Sequence, residues 1–239
     1  MKSTNNKMGA FSMEDFEKGL MLAGFISPNN IRELEERELL EVYEKELKQE
    51  RKSLYFKRVV LAAEIANELH AERTFGRVKF QKLVYLCEYA VEMKVQERYR
   101  KFAAGPFDHK FMHTIEKEFN SHKWFKVEKI FKNKIYKTEY RPLENVEKFK
   151  PYFQSYFKND AASIAKVISL FRTSRTDEAE IAATLVACRL ELKSKNEVIL
   201  LETLLKLFYE WSDAKERYTK EEVISVWKCI VTNGLVEDI

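Results

Sequence analysis

Six glycines and four prolines in 239 residues leave this chain few places to turn sharply. Glycine supplies positive-φ corners and proline stops helices, so a chain poor in both runs in long helices with few joints. An all-β architecture, which needs a turn about every 8–12 residues, does not fit. The length suits one large domain or two small ones with a substantial core. Hydrophobic residues make up 45% and charged residues 33%, the balance of a charge-rich soluble protein. No apolar run approaches the roughly 20 residues of a membrane span. The start, MKSTNNKMGAF, has a lysine but no apolar stretch behind it and does not read as a secretion signal.

Cys87, Cys188 and Cys229 are odd in number, far apart and set in apolar helical patterns. They read as buried free thiols of a reducing compartment, so a cytoplasmic location is expected. The formal charge of +4 permits a nucleic-acid partner without requiring one.

Residues 1–11 are polar and expected to be disordered. A helix opens at Ser12 with acids in its first turn, and Gly24 and Ser27-Pro28-Asn29-Asn30 form the next turn and cap. From Ile31 the chain is helical to about Arg73. Leu40, Tyr43, Leu47, Leu54 and Leu61 lie on or near one stripe, and Glu33, Glu41 and Glu44 precede Arg37, Lys45 and Lys48 by four residues. Glu50 and Lys57 interrupt the stripe, so 12–52 reads as a helical arm, either a solvated helix or one that docks a partner or a second copy through 31–52. Beyond Ser53 the pattern turns more apolar, and Thr74-Phe75-Gly76 breaks the helix. Val78–Met93 is amphipathic and basic, Ala103-Ala104-Gly105-Pro106 makes a rigid turn, and Asp108 caps a helix from His109 to about Phe119. The period then changes to that of a hairpin at 123–141, where seven Lys/Arg face two Glu. Pro142 and Pro151 bracket a connector. Helices follow at Asp160–Phe171, Thr176–Leu192, Glu197–Asp213 and after Thr219, the last ending at Asn233-Gly234. Two helices separated by a short link, with a third leading into Gly234-Leu235-Val236-Glu237-Asp238, could pack as a small helix-turn-helix unit.

Little of this is catalytic chemistry. Asp108, His109, His113 and Glu116 are the nearest approach to a metal cluster. His109 and His113 share a helix face, but two ligands do not make a site, and a capping Asp with surface histidines explains them more simply. Glycine-framed nucleophiles and phosphate-cradling loops are absent. No enzyme activity, metal or cofactor is expected. Lys126, Lys129, Lys132, Lys134 and Lys137, with Trp124, Phe125, Phe131, Tyr136 and Tyr140 between them, allow the hairpin to lie along a nucleic-acid backbone. The plainer reading is a solvated hairpin whose aromatics face the core.

Three segments carry a resemblance. GRVKFQKLVYLCEY at 76–89, RYRKFAAGPFDHKFMHTIEKEF at 98–119 and KWF at 123–125 resemble the SocA-like, or Panacea, domain of bacterial antitoxins. The likeness is to the version in the C-terminal region of type I restriction–modification specificity subunits and adenine DNA methyltransferases. EAEIAATLVAC, EWSDAKERYTKEE and NGLVE, between 178 and 237, resemble the helical tail of that version more weakly. Cys188-Arg189-Leu190-Glu191 stands where that tail usually carries a Trp-Asn-Asp-like stretch. No methyltransferase or target-recognition domain accompanies the module within the 239 residues.

The resemblance implies a mainly α fold: a SocA-like core at 53–145 with one basic hairpin, and a helical tail at 160–239. It implies a non-catalytic, protein-binding accessory or antitoxin component of a bacterial toxin–antitoxin or restriction-type defence system, its partner encoded nearby. The matched positions are Gly76, Arg77, Gln81, Lys82, Tyr85, Arg100, Ala104, Gly105, Pro106 and Asp108, with Arg100 and Lys82 placed to bond Asp108 or a partner's carboxylate. The alternative is a regulator that binds duplex DNA through the hairpin and the last helices.

Overall fold

The computed structural model describes residues 18–20, 36–132 and 135–237, with backbone alone for 36–42, 132 and 135. The expected disordered start, the cap at Ser12 and the Gly24–Asn30 turn lie outside the described residues. The chain divides into two units, 1–56 and 57–239, and the boundary falls inside helix α1, Glu36–Leu69. In the first unit Tyr43, Glu46 and Leu47 are half-buried, and most neighbours from Glu44 to Lys52 are exposed. Glu44 and Lys48 pair at 3.8 Å, as their spacing predicts.

In the second unit α1 becomes mostly buried from Arg58 through Leu69, with Val59, Val60, Leu61, Ala62, Ala63, Ile65 and Ala66 in the core and Glu64, Asn67 and Glu68 forming a narrow, more open polar edge. Residues 70–76 break the helix and α2, Arg77–Ala90, follows. Strands β1 (Arg100–Phe102) and β2 (Gly105–Phe107) flank the Ala103-Ala104 turn as a short antiparallel hairpin, Lys101 opposite Pro106. Asp108 caps α3, His109–Ser121, as expected: its Oδ1 accepts from Phe111 N–H at 2.9 Å. β3 (Phe125–Lys132) and β4 (Ile135–Pro142) form the anticipated hairpin, with Phe125 opposite Pro142 and Phe131 opposite Tyr136.

The bracketed connector contains a helix that the sequence reading passed over, α4, Lys150–Tyr156. Pro151 lies in its first turn, where a missing N–H costs nothing, so it starts this helix instead of preventing it. α5 (Ala161–Phe171) and α6 (Thr176–Ser194) match expectation. α7, Leu201–Tyr209, is shorter than expected: Leu200 N–H donates to Thr203 Oγ1 at 3.1 Å, and that cap fixes the start. α8, Lys220–Thr232, opens on the predicted Thr219–Glu222 capping box and ends before Gly234, whose φ is +59°.

α6 is the axis of this unit. It is apolar on nearly every side, the signature of a helix enclosed by others. α2, β2, α7 and α8 all pack on it, and α2 also packs on α5. Residues 57–107 and 160–237 therefore share one core. The fold is mainly α, and among the described residues no helix is long and apolar enough to cross a membrane.

Candidate functional site

Helix α2 shows how the structure uses the motif residues. Lys79 and Lys82, read from sequence as a basic stripe, are both buried. The Lys79 ammonium donates to Thr74 Oγ1 at 2.8 Å and to the carbonyls of Ser174 at 2.7 Å and Arg172 at 3.1 Å, capping the open end of α5. Lys82 donates to the Pro106 carbonyl at 2.8 Å. Burial lowers both amines, Lys79 to about 8 and Lys82 to about 7; Glu180 opposes the shift at Lys82 and Lys215 adds to it. The expected contact of Lys82 or Arg100 with Asp108 is not made. Lys82 is drawn instead to the free carbonyl of β2, while Arg100 lies on the exposed strand β1 and donates to Glu97 O at 3.0 Å.

Asp108 belongs to a different partner, Arg58 of α1. The Arg58 guanidinium donates to Asp108 Oδ2 at 2.7 Å and to Glu88 Oε1 and Oε2 at 2.6 and 3.3 Å. Tyr99 O–H donates to Glu88 Oε2 at 2.6 Å, and the guanidinium lies 4.0 Å over the Phe111 ring. Arg58 and Glu88 are 1% exposed and Asp108 4%, so this cluster is closed to solvent. Burial pushes the Glu88 carboxyl up, opposed by Arg58 and Tyr99; burial beside Glu88 raises the Tyr99 hydroxyl well above its usual range. One cation thus joins α1, α2 and the start of α3.

The Ala-Ala-Gly-Pro turn is fixed from the other side. Gly105 has φ +92°, and a Cβ there would meet Thr184 Oγ1 of α6 at 2.6 Å. Glycine is required by both conformation and contact. Trp211 Nε1–H donates to Phe102 O at 2.8 Å, and Ser212 Oγ–H to Ala103 O at 3.2 Å. Nearby, Glu180 of α6 receives buried Lys215 at 2.8 Å and Arg217 at 3.1 Å, and Tyr218 O–H donates to Asp177 at 3.0 Å. Of the remaining matched positions, Tyr85 is buried with its ring 4.7 Å from Tyr99, and Gln81 and Ala104 are half-buried. Gly76 precedes α2 in extended conformation, and Arg77 pairs with Glu116 of α3 at 2.7 Å.

The hairpin divides along its length. Trp124, Phe125 and Tyr140 are buried, in line with the plainer expectation, but Phe131 and Tyr136 are 62% and 73% exposed and lie with their rings tilted against each other, centroids 4.9 Å apart. Lys126 pairs with Glu128 at 2.7 Å, Lys137 donates to Arg73 O at 3.0 Å, and Lys129 is exposed. The side chains of Lys132 and Lys134 lie outside the described residues. The rings of His109 and His113 stand parallel, 6.3 Å apart and exposed; among the described residues no group of three metal-ligating side chains converges. Cys87 and Cys188 are buried, and burial raises both thiols. Cys229 corrects the expectation for the third: it is exposed, because Val223, Val226, Trp227 and Ile230 form the inward stripe of α8 and residue 229 falls outside it.

Arg58, Glu88, Tyr99, Glu180 and Lys215 were not singled out from sequence. The available signal was a charge on an apolar helix face: Arg58 opens VVLAAEI, Glu88 interrupts LVYLCEYA, and Glu180 opens IAATLVAC. A charge so placed is buried only when paired. No family model, curated protein or solved structure matches this chain.

Proposed function

We propose that this chain is a non-catalytic, protein-binding component of a bacterial toxin–antitoxin or restriction-type defence system. The observation that supports this most is where the polar groups of the resembling segments go. Lys82, Asp108, Glu88 and Arg58 are closed on one another or on backbone, away from solvent. Groups held in this way build a scaffold, and recognition then falls to the outer surface. Lys82 itself is buried, so a partner would meet the exposed Arg100 on β1, the exposed part of α1 between Glu44 and Lys52, or the aromatic hairpin tip. The test is co-expression of the tagged chain with the products of its flanking genes. A stoichiometric protein partner is the expected result, and a chain that purifies alone from every such co-expression overturns the proposal.

One observation favours a second reading, a duplex-DNA-binding regulator. Exposed Lys129 lies beside the Phe131–Tyr136 pair on the same hairpin face, an arrangement suited to a phosphate backbone. Binding would then fall steeply with salt and vanish on charge reversal at Lys129, Lys132 and Lys134. Unchanged binding in that variant removes the hairpin from consideration.

A further inference from the structure

A cleft of about 550 Å³ lies between the end of α2, α6 and the segment after α8, lined among others by Tyr89, Glu92, Arg189, Lys193 and Glu237. Its volume is that of a small-ligand site. Arg189 stands in the stretch where the sequence departs from the tail it resembles, and it is 6% exposed. A guanidinium this buried calls for a full set of acceptors. This one has a partial set. Nη2 donates to Glu237 Oε2 at 3.0 Å and Nη1 to Tyr89 O–H at 3.5 Å, while Nε is buried without any partner.

The carboxylate that serves Arg189 is itself loosely held. The Glu237 side chain is 86% exposed, against 8% for Arg189, so one partner of the pair is embedded and the other is free to leave. Val236, just before it, is buried. The segment therefore enters the cleft as an apolar residue followed by an acid. With Glu237 withdrawn, the charged residues left among the described lining are Arg189, Lys193 and Glu92, a net positive charge. A carboxylate free to approach the guanidinium side-on accepts from Nε and Nη2 together, the bidentate geometry that Glu237 does not make.

We propose that this cleft is a binding site for a short acidic peptide segment, an apolar residue followed by a carboxylate, and that Glu237 is its displaceable internal occupant. The site does not depend on the defence assignment, since it rests on Arg189 and the cleft alone.

The test uses the full chain and a fluorescein-labelled peptide of sequence Asn-Gly-Leu-Val-Glu-Asp-Ile, followed by fluorescence anisotropy. Glu237→Gln removes the internal competitor and should bind the peptide about ten-fold more tightly than the native chain, the effect of one charge-assisted hydrogen bond. Arg189→Lys in the Glu237→Gln background, checked for an unchanged circular dichroism spectrum, should lose that gain. A peptide with Gln for its Glu and Asn for its Asp should not bind. Equal affinity of the native and Glu237→Gln chains, binding to neither, or equal binding of the amide peptide would each overturn the proposal. Displacement of the peptide by free glutarate or by inorganic phosphate at concentrations no higher than those of unlabelled peptide would also overturn it, reassigning the cleft to a small anion.

Discussion

Replacing Arg58 with Met tests whether one buried cation holds the second unit together. The substitution is close in volume and keeps the apolar contact with Phe111, so it removes charge and donors more than packing. It leaves Glu88 and Asp108 buried without their shared cation. Removing one partner of a buried pair costs roughly 3–5 kcal/mol, and here two carboxylates lose it. Each retains one donor, Tyr99 O–H for Glu88 and Phe111 N–H for Asp108, which argues for the middle of that range, about 4 kcal/mol. The cost must also depend on pH. Glu88 is already raised by burial, and loss of Arg58 raises it further above its unfolded value. Below the unfolded value the group is protonated in both states and adds nothing; as pH rises above it, the folded state must resist or accept a buried charge and stability falls. The deficit should therefore grow from pH 5 to pH 8, by at most about 1.4 kcal/mol per pH unit. Urea unfolding followed at 222 nm at the two pH values measures both quantities. Adding Glu88→Met to Arg58→Met should recover part of the loss at pH 8. A cost below about 1.5 kcal/mol, the same at both pH values, would refute the claim that these charges are buried and coupled.

Gly105→Ala should cost about 2–4 kcal/mol from its positive φ and the collision with Thr184, and Thr184→Ala should recover only the collision part in a double-mutant cycle by urea unfolding. Lys82, lowered to about 7, leaves the unfolded chain binding more protons between that value and its ordinary one, so stability rises with pH across the window. Lys82→Met should flatten this rise by up to about 1.4 kcal/mol per pH unit in melts between pH 7 and 10, and a parallel rise in the variant would contradict the burial. Phe125→Ala should cost about 3–5 kcal/mol and Phe131→Ala less than about 0.5, a contrast readable in one pair of denaturation curves. Thr219→Ala should remove about 1 kcal/mol through loss of the α8 cap, measured the same way.

Local patterns determined the helices. Scarce glycine and proline, the caps at Asp108 and Thr219, the stop at Gly234 and the change of period at 123–141 each act within a few residues, and the structure follows them. Helix α4 and the late start of α7 escaped because a proline and a threonine can each either break or begin a helix, depending on one hydrogen bond. The fate of the charges was not legible in this way. Lys79 and Lys82 on an amphipathic helix look like a solvent face until α5 and β2 supply the carbonyls that bury them. Arg58 meets Asp108 across 50 residues and Glu88 across 30, distances over which spacing carries no information. Gly105 needs Thr184 nearly 80 residues away to explain it, and the Arg189 cleft needs α2, α6 and residues 234–237 brought to one place. The sequence by itself determined which segments are helical and where they stop, because those forces are local. Only the tertiary structure decided which charges are structural and which surfaces remain for recognition, because burial and pairing belong to groups that meet only once the chain has folded.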